Sequence, residues 1–391
     1  MRSQWFVMSM LSMVIGSACG GDDAKTPLGS EGAGATGTPT SGDAGITGSP
    51  KGDAAGATST PEGDAGGSHV DPSNTDGTDP DEEDCKAPSE PSVVFGQGQK
   101  IFSFRVVGDA VYFIDRTVGP DSQLGPLGGI RKVGVDGSAS TLLYTATESQ
   151  SFADLWVEDD LIYFIMSDYK ADDDGAMVYS LPIAGGTPKP VSTDSPNFDE
   201  LAADIIASED GFLYVAEGTT ISRVEKSTGV TTQIVSLSTL IFYGNQLYDG
   251  KLWFSPEQGL DGIAYVSKDS VKATTVSKYS TAGCMLGLSV NAGGVFCGTD
   301  RVEENGKKTD LSDKLGGESA MSPPILGKVF LSQSGGRYPI IEADPVSFEH
   351  KTLACGNSWP QRIRADSTHV YWVEVSNSQG KEVNAILRAP R

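Results

Sequence analysis

Seven times along the chain a short polar turn runs into a cluster of consecutive large apolar residues. Four copies are clear: Gly108-Asp109-Ala110 before Val111-Tyr112-Phe113, Glu158-Asp159-Asp160-Leu161 before Ile162-Tyr163-Phe164, Glu209-Asp210-Gly211-Phe212 before Leu213-Tyr214-Val215, and Asp249-Gly250-Lys251 before Leu252-Trp253-Phe254. Weaker copies end in Val295-Phe296-Cys297, Val329-Phe330-Leu331 and Val370-Tyr371-Trp372. Ahead of each turn apolar residues alternate with polar ones, as in Phe102-Phe104-Val106, and after each cluster the alternation resumes, as in Met177-Tyr179-Leu181. Period-two apolarity rich in Val, Ile, Tyr and Phe predicts strands, and no stretch sustains the 3.6-residue period of a helix.

Each unit therefore reads as four antiparallel strands: one before the turn, one carrying the cluster, a third, and a Thr/Val-rich fourth such as Thr231 to Ser236. A recurrence of roughly 35–50 residues with four strands per copy is the spacing of β-propeller blades. The prediction is an all-β fold, a single propeller of about seven four-stranded blades over 92–391. Units five and six are short and irregular, which leaves six or eight blades open. The last unit ends one strand short, with Asn384 to Arg388 as its third. Ser92-Val93-Val94-Phe95 is expected to supply the fourth and close the ring, removing two open edges.

These Val/Ile/Leu-Tyr/Trp-Phe clusters behind Asp/Gly turns resemble the bacterial propellers related to the YWTD type of low-density-lipoprotein receptors. They are similar also to the tethered propeller lipoproteins of myxobacteria and their relatives. The resemblance spans about Ser92 to Arg391 and implies a fold rather than an activity, since such propellers host many roles.

The N-terminus changes the picture. Arg2 and the apolar run Trp5 to Ile15 have the make-up of a signal peptide and are too short to span a membrane. The run ends in Ile15-Gly16-Ser17-Ala18-Cys19, which resembles the bacterial lipobox. That resemblance implies a signal peptide over 1–18 and lipidation at Cys19; an ordinary secretory signal cut after Ala18 is the alternative. Residues 19–91 are dominated by Gly, Ala, Ser, Thr, Pro and Asp, with a loose repeat at Gly42-Asp43-Ala44, Gly52-Asp53-Ala54 and Gly63-Asp64-Ala65. Such a segment buries too little apolar surface to offset its ordering entropy, so a disordered tether is expected.

The chain carries 29 Lys+Arg against 52 Asp+Glu, and about half of that excess falls in the tether. The balance speaks against a nucleic-acid partner. Of the histidines, His69 lies in the tether, and His350 and His369 lie in or beside turns. Some propellers, such as the streptogramin lyases, use a His near the axis, and His369 is the residue that could be recruited in that way. After Cys19, four cysteines remain: Cys85, Cys284, Cys297 and Cys355. An even number in an exported chain reads as disulfides, with three connectivities possible. Cys284 with Cys297 across one hairpin, leaving Cys85 with Cys355, is the preferred pairing. Two acidic stretches, Asn74 to Asp81 and Asp172-Asp173-Asp174-Gly175, have the spacing of calcium loops, but Pro72 and Lys170 stand where a first ligand is needed. No metal, cofactor or catalytic residue is assigned.

The expected function is that of an exported, membrane-tethered binding module for a protein or glycan, monomeric, lipid-anchored at the outer membrane or cell surface. An enzyme of lyase or hydrolase type at the central channel is the alternative, and a structural component of an envelope assembly is a third.

Overall fold

The computed structural model describes residue 85 and residues 87–391, except 117–127, 148, 169–175, 193–202, 239–240, 257–261, 272, 274–275, 281–283, 285–286, 316–318, 334–337, 357, 359 and 379–380. The signal, lipidation and tether positions, Cys19 and His69 among them, and both acidic stretches lie outside the described residues.

Seven four-stranded antiparallel blades form a ring, a β-propeller. The innermost strands of blades one to seven are the later part of Ser92–Val107, then Gln150–Glu158, Ala203–Glu209, Ile241–Tyr248, Leu288–Asn291, Ser319–Met321 and Pro360–Ala365. The apolar clusters occupy the second strands: Ala110–Arg116, Leu161–Asp168, Phe212–Glu217, Lys251–Pro256, Gly294–Cys297, Val329–Gln333 and His369–Ser378. The two units with irregular sequences are complete blades, closed by Lys308–Asp310 and His350–Cys355. Ser92–Val107 pairs along its later part with the second strand of blade one, and near its start with Lys381–Pro390 of blade seven, Ser92 opposite Arg388 and Val93 opposite Leu387.

The clusters are consecutive rather than alternating because a second strand has a neighbouring blade on each face. Val111, Tyr112 and Phe113 are all buried. Tyr112 packs with Phe152 and Phe164 of blade two, whereas Val111 and Phe113 pack with Tyr371 of blade seven. The core is thus a set of inter-blade layers, and a fully buried Trp372 sits with Phe330 in the one between blades six and seven.

The turns follow from local chemistry. Asp210 and Gly211 have φ of 53° and 82°, and Asp249 and Gly250 have 52° and 68°, the left-handed pairs of two-residue hairpins, which Asp and Gly tolerate. Around these turns cations of one blade reach carboxylates of the blade before it. Lys226 Nζ lies 2.9 Å from Glu158 Oε2, Lys268 Nζ 2.6 Å from Glu209 Oε2, and Arg391 Nε 2.7 Å from Glu342 Oε2. One short helix, Ser312–Leu315, interrupts the strand pattern between blades five and six. Asp310 Oδ1 accepts the Ser312 N–H at 2.7 Å and Leu315 is buried below it, so an acidic cap and one apolar anchor hold a single turn that no periodicity announces. Among the described residues no helix is long and apolar enough to cross a membrane.

Candidate functional site

The innermost strands of blades one, two, three, four and seven each carry a β-bulge at about the same height. In blade two Phe152 pairs with Met166 and Leu155 with Phe164, so Ala153 and Asp154 together oppose Ile165. In blade four Gly244 and Asn245 oppose Phe254, and in blade seven Arg362 and Ile363 oppose Trp372. A bulge breaks the alternation and re-aims a side chain. Here Asp154, Asn245 and Arg362 all line one axial cavity of about 660 Å³, enclosed by residues of six blades.

Charge is unevenly distributed around this cavity. Blades seven and one contribute Arg362, Arg364 and Arg105; blades two and three contribute Asp154, Asp204 and Glu209, and blade four contributes Asp249. Asp154 is committed to structure. It accepts the Ser103 hydroxyl on Oδ1 and the Ile205 N–H at 3.0 Å on Oδ2, and it lies 3.5 Å from Arg105 Nη2. The guanidiniums are fixed from behind. Arg105 sits over the Trp156 ring at 5.1 Å from its centroid, and Arg362 over Phe102 at 5.2 Å. Arg364 donates to its neighbouring carbonyl, Ile363 O, at 2.9 Å. Among the described residues, neither Arg362 nor Arg364 has a carboxylate oxygen within 4.0 Å.

Burial, and next the Asp154 carboxylate, push Asp204 up from 3.8 to about 6 against the pull of the arginines. Burial, and next the Arg105 charge, bring Arg364 down to about 9, which leaves it protonated at neutral pH. Two buried amide atoms of Asn245, Oδ1 and Nδ2, have no hydrogen-bond partner. Backbone geometry marks the same place: Arg362 has φ of 53°, a left-handed conformation normally left to glycine at a bulge of this kind.

The sequence-predicted candidates lie elsewhere. His369 begins the second strand of blade seven, outside the cavity lining, with Nδ1 2.8 Å from Thr368 Oγ1. His350 is exposed on an outer strand, 3.2 Å from Phe348 O. The four cysteines are structural: Cys85 is joined to Cys355 and Cys284 to Cys297, with Cα separations of 6.0 and 5.2 Å. Among the described residues no cluster of three or more His, Cys, Asp or Glu could hold a metal. None of the charged cavity residues was singled out as a site from the sequence. The available signal was a charged side chain inside an otherwise apolar first strand, as in Phe104-Arg105-Val106 or Ile363-Arg364-Ala365.

No family model matches the chain, and no curated protein matches it. Among solved structures it is similar to a protein of unknown function from Bacteroides thetaiotaomicron, with 15% identity over 78% of this chain and 73% of that one and a TM-score of 0.47. It is similar also to the computationally designed Ika8 protein, with 10% identity over 76% of this chain and 98% of that one and a TM-score of 0.48.

Proposed function

We propose that this chain is an exported lipoprotein, anchored through Cys19 at the outer membrane or cell surface, whose propeller is a binding module for a protein or glycan ligand. The observation that supports binding is the axial cavity. A rigid ring surrounds a concave, water-accessible space lined by a few convergent charged groups and by aromatic side chains, the usual make-up of a recognition site. Binding is favoured over catalysis because Asp154 is occupied with fastening blades together and His369 is not among the residues that line the cavity.

The test uses the full chain and fractionated envelope glycans and peptides. Wild type should retain a fraction that Ile206→Trp, which fills the cavity, does not, with both proteins melting alike. Equal retention by the two would place the binding surface on the outer loops; retention by neither would remove the binding reading.

A further inference from the structure

We infer that the axial cavity is an oxyanion site, and that its ligand is a sugar-sized molecule bearing a carboxylate or an ester oxyanion, received by Arg362 and Arg364. The inference rests on the binding reading above and specifies its ligand.

Four observations carry it. The first is unpaired positive charge. Among the described residues Arg105 has a carboxylate oxygen within 4.0 Å, whereas Arg362 and Arg364, side by side on blade seven, have none, although Asp154, Asp204, Glu209 and Asp249 also line the cavity. Arg362 is exposed at the cavity mouth and Arg364 is half-buried, and a half-buried guanidinium without a paired counterion is costly and is kept where an anion completes it. The second is preorganisation: Arg362 is set over Phe102, and Arg364 is held by the carbonyl of Ile363. A donor whose rotamer is already fixed loses little entropy when it closes on a ligand. The third is backbone. Arg362 occupies a left-handed position at a bulge, where glycine would fit without strain and an arginine does not. No ion pair among the described residues offsets that strain, whereas a ligand oxyanion on Arg362 would. The fourth is the unpartnered amide of Asn245 on the same cavity, which offers one donor and one acceptor, the pattern of a sugar hydroxyl.

Size and composition narrow the ligand. About 660 Å³ admits an oligosaccharide-sized molecule or a chain end and excludes a folded domain. Trp156 adds an aromatic wall, suited to the apolar face of a sugar ring.

The experiment is calorimetric titration of the full chain at low salt with digalacturonic acid, its neutral dimethyl ester, a monosulfated disaccharide and an acidic dipeptide. The acid or the sulfated sugar should bind at least about tenfold tighter than the ester, and whichever binds more tightly identifies the oxyanion. Affinity should fall with added salt. Arg362→Gly and Arg364→Gln should each weaken binding about tenfold or more, whereas Lys189→Gln on an outer strand should not. Arg362→Gly should melt no lower than wild type, which separates a ligand-holding side chain from a structural one. Equal affinity for acid and ester overturns the oxyanion site while leaving the cavity as a binding site. Tight binding of the dipeptide and of neither sugar overturns the saccharide. Failure of every probe at millimolar concentration overturns the inference, and the Ile206→Trp comparison then shows independently whether the binding reading falls with it.

Discussion

Asp154 Oδ2 accepts the backbone N–H of Ile205 at 3.0 Å, across the seam between blades two and three. Its other oxygen takes the Ser103 hydroxyl of blade one, so one carboxylate fastens three blades at the axis. Asp154→Ala leaves a buried N–H without an acceptor and frees Arg105, and should cost about 3 kcal/mol in urea unfolding. Asp154→Asn keeps an acceptor and should cost less. Equal unfolding midpoints for wild type and the alanine variant would show that the seam does not depend on this contact.

The raised Asp204 carboxyl predicts a pH effect with a definite sign. Its folded value of about 6 lies above the ordinary 3.8, so the folded state binds the proton more tightly than the unfolded chain. This group opposes folding at neutral pH by no more than about 3 kcal/mol, and the opposition is relieved as pH falls from about 6 toward 4. The same protonation removes a negative charge from beside Arg105, Arg362 and Arg364. Affinity for an anionic probe should therefore rise between pH 7 and pH 5 in wild type and stay flat in Asp204→Asn. A parallel rise in that variant would assign the effect to another group.

Leu326 is 63% exposed and has φ of 53°, in the turn position that Asp210 and Asp249 hold in blades three and four. A leucine in that conformation carries strain without burial in return. Leu326→Asn should stabilise the protein by about 1 kcal/mol, read as a higher melting temperature. A drop would mean that the side chain has a packing partner.

The two disulfides should differ in their contribution. Cys85 and Cys355 are separated by 270 residues, Cys284 and Cys297 by 13. On loop-closure entropy the first bond restricts the unfolded chain by about 6 kcal/mol and the second by about 3. Cys85→Ser should therefore lower stability more than Cys284→Ser, and non-reducing peptide maps should show these two pairs. Deleting 92–95 should destabilise the ring strongly, whereas deleting 22–75 should leave melting unchanged; identical melting of the two deletions would refute closure by the N-terminal strand.

Metabolic labelling with a palmitate analogue should mark wild type and not Cys19→Ala. Equal labelling would remove the lipid anchor from the proposal.

The architecture was legible because its signal is local. Turns such as Asp210-Gly211 and Asp249-Gly250 put Asp and Gly at left-handed φ, and each second strand, buried on both faces, needs a run such as Ile162-Tyr163-Phe164. The cavity was not legible, because Arg105, Asp154, Asp204, Arg362 and Arg364 come from four blades and meet only once the ring exists. Bulges hid them further. Two residues opposing one, as Arg362-Ile363 oppose Trp372, shift the alternation from which inward-facing positions are read. His369 drew notice as a rare titratable residue, yet its ring turns to Thr368 at the blade end.

The bond between Cys85 and Cys355 also decides where mechanical load enters the molecule. A pull on the residues ahead of Cys85 passes through a covalent link into Cys355, at the end of the outer strand of blade six. It thereby bypasses Ser92–Val107, whose hydrogen bonds to Lys381–Pro390 would otherwise be peeled open one at a time. With the bond intact, tension on that segment is delivered to blade six; with the thiols reduced, it falls on the first strand of the ring.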